Sequence, residues 1–445
     1  MKETILTVYK KPVILVDVVL PARDSRFLNA PKSLQDAGND SMEELAQLAY
    51  TAGAIVIDEM TQVRKTPDTA FFIGQGKAQE LAELIRYHKA QGVIVNADLS
   101  PAQIRNLESV LNTSVIDRTE LILAIFSTHA RTKQSKLQVE LAQLEYTLPR
   151  LKHLWGHLSK LGGAGGVKIG MRGPGEKQLE VDRRLAFNKI TSLKRELQDI
   201  QNRRRSEVAS RSDNFNVALV GYTNAGKSTL MNALTSLSQL TEDKLFSTLE
   251  TKTHTWELKS GQKVLLSDTV GFIRNLPHHL VSSFHATLEE VIQADMLLHI
   301  VDASSHEAES QIEAVNTVLK KIDCSNKETI LVFNKVDQAD SIELGILKKK
   351  FPGVHLLSAL KKIGLDELEK TLDLAISARQ VEISVRVPVE NGRLLAYLHA
   401  RGIIMKKTIT NTHYQIRIKM GRRDLAKAKE FGLLYRQPVP NIRKV

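Results

Sequence analysis

The apolar run Asn216-Val217-Ala218-Leu219-Val220 leads directly into Gly221-Tyr222-Thr223-Asn224-Ala225-Gly226-Lys227-Ser228. A buried strand that feeds a glycine turn and opens a helix has few folded solutions. The one that uses every residue here is a phosphate-binding loop in a parallel α/β sheet. Its backbone N–H groups and the helix N-terminus point at one spot, the glycines allow close approach, and Lys227 adds a cation for the β- and γ-phosphates. Ser228 offers a hydroxyl to Mg²⁺. Plain helix capping is the alternative reading of such a turn, and later motifs decide between the two.

Those motifs must occur in chain order at the carboxyl ends of later strands, where an open parallel sheet collects its ligand. After the strand-like Lys263–Ser267 come Asp268, Thr269, Val270 and Gly271, with Asp268 placed to hold Mg²⁺ and the Gly271 N–H to meet a γ-phosphate. After Ile330–Phe333 come Asn334, Lys335, Val336 and Asp337, whose carboxylate can accept both guanine N1–H and the exocyclic amine. Adenine lacks that donor pair, so the ligand expected is GTP or GDP. Ser358, Ala359 and Leu360 follow another apolar run and offer backbone donors to the guanine oxygen. Between the loop and Asp268 lie Phe246, Ser247, Thr248, Leu249 and Glu250, with Thr248 the candidate switch hydroxyl for Mg²⁺, although Thr251 and Thr253 stand close by.

Lys227, Asn224, Thr248 and Gly271 form the expected catalytic set, and Ser228, Thr248 and Asp268 the expected metal set. Phe272 occupies the position after Asp-x-x-Gly where many GTPases keep a water-orienting glutamine, and phenylalanine cannot do that work. Another group must therefore help, and the Asn224 carbonyl can hold K⁺ beside the phosphates. Loop shaping is the alternative for Asn224, and core packing the alternative for Phe272.

The 445 residues allow several domains, and 42% hydrophobic with 25% charged content is that of a globular chain. One cysteine, Cys324, excludes an internal disulfide and fits a reducing cytoplasm. No apolar run is long enough to span a membrane. Net charge is +12, unevenly spread: residues 131–213 carry 18 Lys/Arg against 9 Asp/Glu, and residues 381–445 carry 14 against 4. The rest is net acidic. Two basic regions flanking an acidic switch domain suit a polyanion, with RNA the default and solvated helix faces the alternative.

Patterning divides the chain into an α/β multidomain protein. Residues 1–118 read as a small parallel α/β domain, with strands near Pro12–Leu20, Ala54–Asp58, Gly92–Asn96 and Ser114–Asp117. Helices are expected at Ser41–Ala52, Lys77–Lys89 and Ser100–Leu111, the last opened by Ser100 and Pro101. The fragment from Phe71 to Lys77 reads as a structural turn rather than a second nucleotide site. Residues 119–212 carry two heptad seams, Leu137, Leu141, Leu144, Leu148, Leu151, Trp155, Leu158 and Ala186, Ile190, Leu193, Leu197, Ile200, which predict a long antiparallel hairpin. Pro149 is expected to kink or break its first helix near Tyr146. The glycine-rich loop between the helices carries Lys168 and Arg172, with Lys177, Arg183 and Arg184 behind, a candidate RNA-contacting tip. Residues 213–379 form the P-loop domain with a doubly wound sheet, and 380–445 a small α+β domain whose Tyr414, Lys406, Lys407, Arg417 and Lys419 fit RNA or any half-exposed sheet.

With these motifs the chain resembles the HflX family of translational GTPases. Outside the nucleotide motifs the resemblance rests on Asn96–Gln103, Ile116–Thr119, His129–Thr132 and above all Gly173–Arg184. It implies a GTPase that associates with the 50S large ribosomal subunit and 23S ribosomal RNA, inserts the hairpin loop toward the peptidyl-transferase region and dissociates stalled ribosomes, and that is a monomer away from them. Lys177 stands where the family usually has threonine, and the glycine run before Met171 is extended; both lie at the proposed tip. A large-subunit assembly factor and a protein-effector signalling switch are the rival readings.

Overall fold

The computed structural model describes residues 8–20, 34–161, 174–210, 215–235, 246, 251–274, 285–433 and 435–436. Eight apolar-rich residues, Pro12–Val19, form strand β1, buried along nearly its whole length. It lies between β2 (Ile55–Val63) and β3 (Gly92–Val95), and β4 (Ser114–Asp117) follows, giving a four-stranded sheet in the order β2-β1-β3-β4. Every pairing is parallel. Parallel strands need crossovers, and these are the helices Leu34–Thr51, Gln75–His88 and Pro101–Leu111. The last starts where the sequence says it should: Ser100 accepts from the Gln103 amide while the Gln103 side chain accepts from the Ser100 amide.

A fourth helix, Arg118–His129, begins at Asp117, whose carboxylate accepts the Glu120 N–H at 2.8 Å. Its Leu121, Ile122, Ile125 and Phe126 are fully buried in the N-terminal core.

The hairpin is present as Lys133–Leu161 and Pro174–Ser210. Leu141, Ile190, Leu193 and Leu197 form its buried seam, with Leu137, Leu144 and Leu148 against it. Lys133–Glu196 and Lys189–Glu140 ion pairs flank the seam and confirm the antiparallel register. Pro149 does not break the helix. Arg150 explains part of this: its Nη1 donates to the Tyr146 carbonyl at 3.0 Å, beside the Glu145 carbonyl that proline cannot serve, and its Nη2 reaches the Leu99 carbonyl at 2.9 Å. Lys168 and Arg172 lie outside the described residues, as does the side chain of Lys177, whereas Arg183 and Arg184 are exposed on the second helix.

The nucleotide domain has a six-stranded sheet, ordered β10 (His355–Leu356), β9 (Thr329–Asn334), β8 (Met296–Asp302), β5 (Phe215–Gly221), β7 (Lys263–Asp268), β6 (Lys252–Glu257). All neighbours are parallel except the edge strand β6, which runs antiparallel to β7. The C-terminal sheet is antiparallel, with β12 (Ile403–Ile409), β13 (His413–Gly421), β11 (Gln380–Pro388) and β14 (Tyr435–Arg436) in that order. Along β11, Ile383, Val385 and Val387 are buried while Glu382, Ser384 and Arg386 take the other face, the period of two expected of a one-sided sheet. Lys419, Arg417 and Lys406 share that open face by register.

Candidate functional site

Gly221 ends β5 so close to β8 that a Cβ there would lie 2.2 Å from the Ile300 carbonyl oxygen. Gly226 has φ +89°, and a Cβ would lie 2.2 Å from Asn334 Nδ2. No side chain fits at either place. The loop therefore turns under the sheet edge and delivers Lys227 to the first turn of the helix Lys227–Thr235. Lys227 is buried, and its Nζ donates to the loop carbonyls of Gly221 (3.1 Å) and Tyr222 (2.7 Å). Burial lowers its pKa to about 8, with Asp268 opposing the shift.

Ser228 Oγ donates to Asp268 Oδ2 at 2.6 Å. These two oxygen donors, one from the loop helix and one from the end of β7, form the hard, partly anionic ligand set that suits Mg²⁺. The expected third metal group, Thr248, lies outside the described residues together with Ser247, Leu249 and Glu250. Thr269 turns away from the loop and donates to the Leu219 carbonyl at 2.6 Å, tying β7 to β5. Gly271 packs on the loop itself, where a Cβ would meet Thr223 Cα at 2.9 Å and Lys227 Nζ at 3.0 Å. Phe272 is buried with Ala218, Val220 and Leu288, so its ring is a core residue.

The base end is built around Asn334, at the carboxyl end of β9. Its Nδ2 donates to the Ala225 carbonyl and its Oδ1 accepts the Ala359 N–H, both at 2.9 Å. Asn334 thus braces the phosphate loop against the Ser358–Leu360 segment, and the Ala359 amide expected to meet guanine is engaged with it. Lys335, at φ +60°, pairs with Asp302 at 2.7 Å. Val336 donates to the Leu357 carbonyl, Ser358 is fully buried, and Asp337 is exposed. Asn224 is exposed at φ +60°, with its carbonyl at the turn.

Sequence reasoning missed how much of this site touches the N-terminal domain. Tyr222, Val270, Ile273 and Phe246 pack into the N-terminal core, and Phe246 meets Phe126 edge-on with centroids 4.7 Å apart. Tyr222 donates its hydroxyl to Glu44, which pairs with the buried Arg118. The only signal was a large aromatic side chain in a loop otherwise made of small residues.

The N-terminal region matches a family model described as GTP-binding GTPase N-terminal over residues 39–127, and the hairpin one described as GTP-binding GTPase middle region over residues 129–211. The nucleotide domain matches a 50S ribosome-binding GTPase model over residues 216–335. GTPase HflX of Caldanaerobacter subterraneus is 42% identical over 400 residues, covering 89% of this chain and 88% of its own.

The chain belongs to the HflX family of GTPases.

HflX of Escherichia coli K12 is 41% identical over 377 residues, covering 84% of this chain and 88% of its own. A GTP-binding protein from Sulfolobus solfataricus, solved with GDP, aligns at 24% identity and a TM-score of 0.41, covering 82% of this chain and 98% of its own. As an HflX-family member the chain is a GTP-hydrolysing enzyme. No helix among the described residues is long and apolar enough to cross a membrane.

Proposed function

We propose that this GTPase associates with the 50S large subunit, splits stalled or inactive ribosomes in its GTP form, and is reset by hydrolysis. The observation that carries the reading is the burial of Phe272 at 3% exposure, immediately after Gly271. The position that should orient the attacking water is spent on the hydrophobic core. A site that positions nucleotide but lacks this group hydrolyses slowly by itself and depends on a partner to complete it.

The Ser228–Asp268 hydrogen bond and the burial of Lys227 in the loop support the phosphate and metal roles assigned to these residues from the sequence. Lys227 and the loop amides would hold phosphates, Ser228, Asp268 and Thr248 would hold Mg²⁺, and Asp337 would select guanine. Mg²⁺ would supply charge neutralisation between the phosphates. Asn224, exposed at the turn, remains the candidate K⁺ ligand.

RNA is the partner favoured by charge. Arg183 and Arg184 stand exposed behind the hairpin loop, and the open face of the C-terminal sheet carries Arg386, Lys406, Arg417 and Lys419 against Glu382 alone on those three strands. The hairpin region, residues 119–212, would present Lys168, Arg172 and Lys177 to 23S ribosomal RNA.

Light scattering of intact ribosomes tests the proposal. Adding the protein with a slowly hydrolysed GTP analogue should lower the scattering, and GDP should not. Unchanged scattering with large-subunit binding retained would instead favour the assembly factor.

A further inference from the structure

Three residues beyond Gly271, the backbone of Arg274 is held on both sides. Its N–H donates to the Tyr222 hydroxyl at 2.8 Å, and its carbonyl accepts from Arg118 Nη2 at 3.2 Å. One holder belongs to the phosphate loop and the other to the N-terminal domain. Glu44 joins them, accepting from both the Tyr222 hydroxyl and the Arg118 guanidinium. Arg118 is itself fixed, since Nη1 donates to Asn96 Oδ1 at 2.6 Å and Asn96 Nδ2 donates to Ser41 Oγ at 2.7 Å. The Arg274 side chain is separately anchored to Glu307 at 2.6 Å.

The preceding residue faces a different partner. Asp117, fully buried, accepts from the Tyr146 hydroxyl and from Arg150 Nη2, each at 2.8 Å, and both donors belong to the first hairpin helix. The Arg150 guanidinium also lies 3.4 Å from the centre of the Tyr146 ring. Adjacent residues on one turn therefore grip the hairpin and the segment that follows Asp-x-x-Gly. Their polar groups are buried, where a misplaced partner costs far more than on a surface.

We propose that Arg118 is a positioning residue for GTP hydrolysis. It sets the Arg274 backbone against the phosphate loop, and through Asp117 it ties that setting to the position of the hairpin. The guanidinium suits this role because its planar fork reaches Asn96, Glu44 and the Arg274 carbonyl at once, which a lysine ammonium cannot do. The partners of Arg118 are protein groups: Asn96, Glu44 and the Arg274 carbonyl. The ribosomal consequence rests on the function proposed above: RNA that moves the hairpin would be felt at Arg274.

Amide hydrogen exchange of the full-length protein, with GDP and then with a slowly hydrolysed GTP analogue, tests the link without ribosomes. The wild type should change protection at residues 97–100 and 146–151 as well as in the nucleotide domain. Arg118→Lys, which keeps a cation beside Glu44, should reduce the distant change at least about fivefold while nucleotide affinity stays within about twofold. Tyr146→Phe, which loses one hydroxyl at the far end, should weaken the response at 97–100 as well. A wild-type response confined to the nucleotide domain, or a distant response intact in Arg118→Lys, would overturn the proposal. Hydrolysis with large subunits separates the two readings: an unstimulated wild type counts against the ribosomal function and leaves exchange to decide the role of Arg118. In a stimulated wild type, Arg118→Lys should lower kcat of the stimulated reaction at unchanged KM.

Discussion

Asn334 shows how a motif residue can be structural. It ties the Ala225 carbonyl to the Ala359 amide, so the glycine loop after β5 and the Ser358–Leu360 segment are held by one side chain. Asn334→Ala leaves two buried partners unpaired, at about 1–3 kcal/mol each. The expected outcome is a lower melting temperature together with weaker GDP binding, and melting curves with and without GDP check both. Gly226→Ala should abolish nucleotide binding, because a methyl there meets Asn334 and the backbone is at φ +89°. Lys227 gives a pH signature. Its pKa is lowered to about 8 in the buried loop, and phosphates favour its charged form. GDP affinity should therefore hold below that pH and fall by up to about tenfold per unit above it, measured by fluorescence titration. Asp337→Asn should move preference from guanine toward xanthine nucleotides, which competition binding reads directly. The placement of Gly221, Asp268 and Asn334 at strand ends was legible because the motifs follow apolar runs in chain order. The brace role of Asn334 was not, because its partners come from loops about 109 and 25 residues away, a separation no local pattern reports.

At the scale of elements, the hairpin was legible from its heptad seams and the N-terminal crossovers from their caps, since both signals repeat or sit at fixed offsets. The break allowed at Pro149 does not occur, because local propensity omits tertiary support. Arg150 supplies that support by bonding the Tyr146 and Leu99 carbonyls and Asp117. Beside this junction Glu120 has its pKa raised to about 7, chiefly by burial and next by Asp117, with Arg150 opposing. A raised carboxyl favours the protonated form in the fold, so its contribution to stability is complete below the unfolded value near 4.5 and is lost as pH rises through about 7. Glu120→Gln should flatten that loss and leave the variant more stable at pH 8, by up to about 3 kcal/mol. Melting temperature followed from pH 4.5 to 8 in both proteins is the check; parallel curves would refute the assignment.

Across the whole molecule, one hydrophobic core runs from the N-terminal sheet to the residues flanking the nucleotide site. Phe246 against Phe126 adds about 0.5–1.5 kcal/mol of aromatic contact to the burial of both rings. The order along the chain of the first parallel sheet, the hairpin helices and the sheet of the glycine loop was legible from patterning and motif order. Their union was not, since Glu44 and Tyr222 are 178 residues apart and neither stands out in a periodic pattern. Charge at this scale also predicts behaviour: ribosome binding should weaken steeply with salt, because phosphate neutralisation by basic residues releases counterions. The central claim is that the site is completed by its ribosomal partner, because Phe272 cannot orient water. The most direct measurement is the GTP hydrolysis rate of the protein alone and with purified large subunits. Slow hydrolysis alone with strong acceleration by large subunits is the predicted result, and equal rates in the two conditions would contradict the account.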